Sequence, residues 1–91
     1  MNNPQRTGDN PLIQQNLHAM LACRLGRQQH EIADSCHLVN ELYVDSLDLV
    51  EIEIGVAETF GVELTESDLL SMETVGDLRA IVCEKIGHAE K

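Results

Sequence analysis

Apolar residues recur at the three- and four-residue spacing of an α-helix in four segments of this chain. The first segment predicts a helix that begins at Pro11, with Asn10 as its N-cap, and ends at Leu25, where Gly26 supplies a stop. Its apolar positions are Leu12, Ile13, Leu17, Met20, Leu21 and Leu25. A long connection without helical spacing then runs from residue 27 to residue 44.

The second segment predicts a helix from about Ser46 to Phe60. Asp45 is its expected N-cap, and Asp48, three residues later, completes a variant capping box. Gly61 is expected to end this helix.

Two further helix starts share one pattern, a threonine followed three residues later by an acid. Thr65 with Asp68 opens a short third helix, and Thr74 with Asp77 opens a fourth that should run to about Ile86, one residue before a glycine. No segment alternates at period two for long enough to demand a strand. The chain is therefore predicted to be all-α, a small four-helix bundle with a long loop between its first two helices and a short third helix.

Ninety-one residues suffice for one small domain. Residues 1–9 are polar and are predicted to form a flexible tail, residues 10–87 the folded domain, and residues 88–91 a C-terminal tail. No apolar run is long enough for a membrane span, and the first residues lack the features of a signal peptide. We expect a cytoplasmic monomer.

Charge is unevenly spread along the chain, whose formal net charge is −10. Between Gln28 and Leu78 there are thirteen Asp and Glu residues and no Lys or Arg. Repulsion disfavours nucleic acid and anionic membranes as partners, whereas a basic protein surface is favoured. An ordinary solvated acidic surface is the alternative interpretation.

The predicted second helix has two apolar faces when residues are placed at 100° intervals. The face expected in the core carries Leu49, Ile52, Val56 and Phe60. The nearly opposite face, expected at the surface, carries Leu47, Val50 and Ile54. Glu51 and Glu58 border the second face and Asp48 lies at its flank, a pattern typical of a docking surface. A helix buried on most sides is the alternative, and the pattern explains neither Glu53 nor Gly55.

Ser46 is the candidate site of covalent modification. A hydroxyl at a helix N-terminus among carboxylates lacks the base and oxyanion site that a nucleophile needs, but a basic enzyme could modify it. A phosphodiester there would meet free backbone N–H groups and the positive end of the helix dipole. Asp34 and His37 have the Asp-x-x-His spacing of hydrolases with a Gly-Asp-Ser-Leu motif, but they precede the serine, and Val44 replaces the glycine. No catalytic residue is expected.

The three cysteines are too few for a disulfide scaffold. Cys23, Cys36 and Cys83 are expected to be small core residues. A zinc site with Cys36, His37 and His30 is the alternative, but adjacent ligands lack the separated pairs that close a tetrahedral site. No metal is expected.

The tripeptide Asp45-Ser46-Leu47 is weak evidence for a protein family by itself, but the segments around it make the resemblance specific. The other informative segments are Leu25-Gly26, Asn40-Glu41-Leu42, Asp48-Leu49-Val50-Glu51, Phe60-Gly61-Val62-Glu63-Leu64 and Thr74-Val75-Gly76-Asp77-Leu78. Together these segments closely resemble the bacterial acyl carrier proteins, over about Leu17 to Ile86.

The resemblance implies a carrier function. It implies that Ser46 carries 4′-phosphopantetheine, transferred from coenzyme A by a magnesium-dependent phosphopantetheinyl transferase, and that acyl groups ride on the terminal thiol as thioesters. Acyl-loading and acyl-transferring synthase enzymes with basic docking surfaces would be the other partners. The implied partner contacts are Asp45, Leu47, Asp48, Val50, Glu51, Ile54 and Glu58, and the implied acyl-sheathing residues are Leu49, Ile52, Val56 and Phe60.

The chain departs from the usual family pattern at several positions. Tyr43 and Val44 replace Gly-Ala, Glu53 replaces an apolar residue, Ala57 replaces an acid, and Thr65 stands where proline is common. These changes favour a specialised lipid, polyketide or aminoacyl pathway at least as much as general fatty-acid synthesis. An unmodified acidic adaptor with the same fold is the remaining alternative.

Overall fold

Four α-helices form the part of the chain, residues 11–89, that the computed structural model describes. They are α1 (Pro11–Leu25), α2 (Ser46–Phe60), α3 (Glu66–Ser71) and α4 (Val75–Ala89), with a short 3-10 helix at Gln29–Glu31. Within residues 11–89 there is no β-strand, only an isolated bridge between residues 37 and 74. The all-α prediction is confirmed. The predicted N-cap Asn10 and the predicted tail of residues 1–9 lie outside the described residues.

The helix starts follow from local capping, as the sequence predicts. Asp45 Oδ1 accepts a hydrogen bond from the Asp48 backbone N–H at 2.9 Å, and Asp48 Oδ2 accepts one from the Asp45 N–H at 3.2 Å. Thr65 and Asp68 form the same reciprocal pair at the start of α3. Each box satisfies backbone donors that the first turn of a helix leaves without a partner. Gly61, which ends α2, has a left-handed φ of 73°.

The predicted end of α4 near Ile86 is wrong, because the helix continues through Gly87 to Ala89. Glycine favours a helix end when it adopts a left-handed conformation, as Gly26 and Gly61 do. Gly87 has no positive φ. A glycine that stays helical costs only about 1 kcal/mol relative to alanine, which does not force the helix to stop.

The long connection between α1 and α2 is tied to the start of α4 by backbone hydrogen bonds. The Leu38 N–H donates to the Glu73 carbonyl at 2.8 Å, and the Val75 N–H donates to the Cys36 carbonyl at 3.0 Å. The Gly76 N–H donates to the Asp34 carbonyl at 2.8 Å. These bonds fix the connection that leads into α2.

The core lies between α1, α2, α4 and the long connection. Its largest fully buried side chains are Leu17, Leu21, Leu38, Ile52, Val56, Val75, Leu78 and Val82. Leu12, one of the apolar positions of α1, is 61% exposed, because it lies about 140° around the helix from Leu17. Cys23, expected in the core, is exposed on the side of α1 that Leu12 occupies, whereas Cys83 is buried.

Candidate functional site

Ser46 is the first residue of α2 and its side chain is exposed. Within residues 11–89 its hydroxyl makes no hydrogen bond to another residue. The capping box of the preceding residue fixes where the helix begins, and hence where this hydroxyl projects. The site therefore presents an accessible hydroxyl at the positive end of a 15-residue helix.

The apolar stripe of α2, defined as Leu47, Val50 and Ile54, is open to solvent. Its members are 76%, 50% and 42% exposed, respectively. On the opposite face Ile52 and Val56 are fully buried, and two further residues, Leu49 and Phe60, are half-buried against the core. The structure thus separates the two sets of residues that the sequence assigns to two faces.

Arg24 of α1 pairs with two acids at the border of this stripe. Its Nη1 lies 2.8 Å from Glu51 Oε1, and its Nη2 lies 2.7 Å from Glu58 Oε1. The hydrogen bond to Glu51, and the charges of both acids, raise the pKa of the Arg24 guanidinium although partial burial opposes the shift. Both acids were expected to be available to partners, and the structure shows that each already has a cation.

Other acids of the cation-free segment are also paired. Glu31 lies 3.8 Å from Arg27, Asp34 lies 2.7 Å from Arg79, and Asp68 lies 2.9 Å from Lys85. Arg27 and Glu31 stand only four residues apart, but the pairs of Asp34 and Asp68 join distant parts of the chain and follow from no local pattern. All three cations come from outside residues 28–78. An acidic segment that contains no basic residue can therefore still have basic side chains beside it in the folded protein.

Asp34 joins three parts of the fold. Its carboxylate accepts hydrogen bonds from Gln14 Nε2 at 3.2 Å and Arg79 Nε at 2.7 Å, and it lies 2.9 Å from His18 Nε2. Burial alone would raise the pKa of Asp34, but the hydrogen bonds from His18, Arg79 and Gln14 and the charge of Arg79 together lower it. Asp34 thus links α1, the long connection and α4, and this contact was missed by sequence reasoning.

Asp34 and His37 form no pair with each other in the structure. The Nδ1 atom of His37 instead accepts hydrogen bonds from the backbone N–H groups of Val39 and Asn40. The hydrolase-like spacing of Asp34 and His37 therefore brings together no reactive group near Ser46. In residues 11–89 no three His, Cys, Asp or Glu side chains gather in a way that could hold a metal ion, and the zinc alternative gains no support.

Glu53 and Glu63 flank a groove of about 410 Å³ whose other lining residues are Ile54 and Ala57. Glu53 is half-buried and Glu63 is exposed. Across the described residues, neither carboxylate has an ion pair or a side-chain hydrogen bond. The sequence pattern of α2 does not explain Glu53, and the structure shows that its side chain lines this groove.

Tyr43 occupies a left-handed backbone position, with φ of 57°. Its ring is 72% exposed, and the Arg27 guanidinium carbon lies 5.8 Å from the ring centroid. The acyl carrier proteins that the chain resembles usually have glycine here, the residue that adopts positive φ without steric cost. Tyr43 therefore adopts a conformation that glycine adopts more easily, and it adds an exposed aromatic ring three residues before Ser46.

None of the helices in the described part of the chain is long and apolar enough to cross a membrane.

Two comparisons with known proteins identify the family of this chain. A family model described as "Phosphopantetheine attachment site" matches residues 15–82, which include Ser46. An acyl carrier protein of Thermotoga maritima is 30% identical over 69 residues, covering 76% of this chain and 85% of that protein. The fold and the matched region define a small helical domain whose cofactor is 4′-phosphopantetheine. The chain belongs to the acyl carrier protein family.

Proposed function

We propose that this protein is an acyl carrier whose Ser46 hydroxyl is the attachment point of 4′-phosphopantetheine. The exposed Ser46 at the start of α2, inside the matched region, is the observation that carries the proposal. The protein would act as a carrier and contribute no catalytic group of its own. Its cargo would be the acyl intermediates of fatty-acid, specialised lipid or polyketide synthesis, delivered as thioesters.

The residues around Ser46 fit a phosphodiester-linked group. The Ser46 side chain is open to an approaching transferase. The N-terminus of α2 favours one added negative charge, since backbone N–H groups and the helix dipole point toward it. When bound, the group supplies a terminal thiol on a long arm. The chain's own part is to hold the attachment point at a defined helix start and to present the docking surface beside it.

The apolar stripe is proposed as the surface that partner enzymes contact. Leu47, Val50 and Ile54 are exposed although they are large and apolar, and such residues at a surface are typical of protein interfaces when they are contiguous. The acids that the resemblance implies as partner contacts beside the stripe are Asp45, Asp48, Glu51 and Glu58, of which Glu51 and Glu58 are already paired with Arg24. A phosphopantetheinyl transferase and acyl-transferring enzymes with basic surfaces are the proposed partners, met by a monomer in the cytoplasm.

The buried face of α2 is proposed to sheath the acyl chain. Ile52 and Val56 have no accessible surface, whereas Leu49 and Phe60 lie at the edge of the same face. An acyl chain among them must displace apolar contacts, so the helices would have to separate for the cargo to enter.

A second candidate is an unmodified acidic adaptor that binds a basic partner through α2. The observation in its favour is Tyr43, whose exposed ring stands where the family usually has glycine, close to the attachment point. An aminoacyl cargo is the alternative within the carrier class, because Glu53 and Ala57 change the surface that selects partners.

Intact-mass measurement after incubation with coenzyme A, Mg²⁺ and a broad-specificity transferase tests the proposal. The wild-type protein should gain one phosphopantetheine, and Ser46→Ala should gain none while keeping its helical circular dichroism spectrum. Ser67→Ala, which changes an exposed serine near the start of α3, is the matched control and should be modified like the wild type. A wild-type protein that gains no mass would favour the adaptor, and label on Ser35, Ser67 or Ser71 would contradict Ser46 as the site.

A further inference from the structure

The two sides of the apolar stripe differ in charge, although the sequence places acids on both. On the side that faces α1, Glu51 and Glu58 share the Arg24 guanidinium at 2.8 and 2.7 Å. The side chains of these two glutamates are 49% and 66% exposed, so both ion pairs are accessible to a partner protein. An approaching partner therefore meets two carboxylates together with the cation that partly cancels their field.

The other side of the stripe carries carboxylates with no such cation. Glu53 and Glu63 flank the groove lined by Ile54 and Ala57, and no basic side chain of the described residues is paired with either. Ile54 belongs both to this groove and to the apolar stripe. The groove thus places an apolar surface next to two unneutralised charges.

We propose that Arg24 makes docking one-sided, so that a partner enzyme contacts the stripe from the Glu53 side and inserts a lysine or arginine between Glu53 and Glu63. This inference rests on the proposed carrier function and names the chemistry of the partner's contact. The partner's surface would carry one cation beside an apolar side chain that covers Ile54. Charge complementarity supports this occupant, because an uncompensated pair of carboxylates attracts a cation more strongly than a pair already bound to arginine.

Arg24 is then a positioning residue for the interface. It holds Glu51 and Glu58 against α1 and lowers their contribution to the electrostatic attraction of a basic partner. Removing it should restore the acidity of that side and give partners a second orientation of approach.

Binding of a phosphopantetheinyl transferase, titrated without coenzyme A at low ionic strength, tests the inference with four matched variants. Glu51→Gln, Glu53→Gln, Glu58→Gln and Glu63→Gln each remove one charge and preserve side-chain size. We expect Glu53→Gln and Glu63→Gln to weaken binding by about 3- to 10-fold, and Glu51→Gln and Glu58→Gln by less than about 2-fold, with all effects shrinking as salt is added.

Arg24→Gln supplies the second arm of the test. It should strengthen binding, and in its background Glu51→Gln and Glu58→Gln should weaken binding as much as Glu53→Gln does. Lys85→Gln, which removes one cation from a partly buried ion pair on α4, is the control and should leave the order of the four glutamate variants in binding strength unchanged. A thermal melt of each variant verifies that the fold is retained.

The inference is overturned if Glu51→Gln weakens binding as much as Glu53→Gln in the wild-type background, if Arg24→Gln weakens binding, or if the wild-type chain does not bind. Intact mass after addition of coenzyme A and Mg²⁺ reports separately on the proposed function. A chain that binds with the expected ranking but gains no mass contradicts the carrier and leaves the docking mode standing. If the chain gains mass but Glu51→Gln and Glu58→Gln weaken binding more than Glu53→Gln and Glu63→Gln do, only the docking mode is contradicted.

Discussion

Gly55 of α2 lies so close to Met20 of α1 that a methyl group on the glycine would be 2.5 Å from the Met20 Sδ atom. The same methyl group would lie 3.3 Å from Arg24 Nε. A glycine inside a helix lowers stability, and here the loss is offset by the close approach of α1. That approach also brings the Arg24 guanidinium to Glu51 and Glu58.

Replacing Gly55 with alanine should destabilise the protein. Better helix propensity favours the variant by about 1 kcal/mol, but overpacking against buried Met20 costs about 1 to 3 kcal/mol, so we expect a net loss of about 1 kcal/mol. Denaturant unfolding measures the difference. In a Met20→Ala background the same replacement should become neutral or stabilising, because the clash is gone. If Gly55→Ala stabilises the protein that retains Met20, the close contact does not explain the glycine.

Two isoleucines on α2 provide a matched test of its two faces. Ile52 is fully buried and Ile54 is 42% exposed. Ile52→Ala should cost about 2 to 5 kcal/mol of unfolding free energy because it leaves a cavity, whereas Ile54→Ala should cost less than about 1 kcal/mol. Ile54→Ala should instead slow modification by the transferase. Thermal melts paired with a modification assay distinguish the outcomes, and an Ile54→Ala protein that unfolds as readily as Ile52→Ala would assign the stripe to the core.

The left-handed backbone at Tyr43 makes that position selective for residue type. Tyr43→Val should lower the unfolding free energy by about 1 to 2 kcal/mol, because β-branched residues tolerate positive φ poorly. Tyr43→Asn loses the same aromatic contact with Arg27 but tolerates the left-handed region, so it should be the more stable of the two. The comparison is made by chemical denaturation. Equal stability of the two variants would show that the φ of this residue contributes little.

Acid should weaken the fold through Asp34. Burial alone would raise the pKa of this carboxyl, but the contacts with His18, Arg79 and Gln14 lower it below its ordinary value of 3.8. A lowered folded-state pKa means that the stabilisation is complete above the unfolded-state value and is lost as the pH falls through the folded-state value. Asp34→Asn should therefore cost about 1 to 3 kcal/mol near neutral pH, and the cost should shrink as the pH falls below 3.8.

Unfolding free energies of wild type and Asp34→Asn, measured across this pH range, test the linkage. Asp68 and Asp77 also have lowered pKa values, mainly because backbone N–H groups hydrogen-bond to them at helix starts, so the variant should still lose stability in acid. A difference between the two proteins that stays constant from pH 7 to pH 2 would contradict the role of the Asp34 charge.

The sequence by itself determined the features that depend on near neighbours. Asp45 with Asp48 and Thr65 with Asp68 mark their helix starts because a capping box needs only residues three positions apart. Periodicity on α2 likewise separates buried Ile52 from exposed Leu47, since the face of a helix follows from spacing alone. Ser46 was found in the same way, from its place at a predicted helix start.

Sequence patterns erred where a local preference was weak. Gly87 predicts a helix end from residue type alone, but no left-handed residue is required there, and α4 continues through it to Ala89. Residue type predicts Cys23 in the core, but the face of α1 on which it lies, together with Leu12, is exposed.

Only the tertiary structure decided which charges meet. Arg24 reaches Glu51 and Glu58 from 27 and 34 residues away, and Arg79 reaches Asp34 across 45 residues. Periodicity tells which face a residue occupies, but it does not tell which residue of another helix will lie opposite. That depends on how closely the helices approach, and between α1 and α2 the approach is set by the missing side chain of Gly55 against Met20.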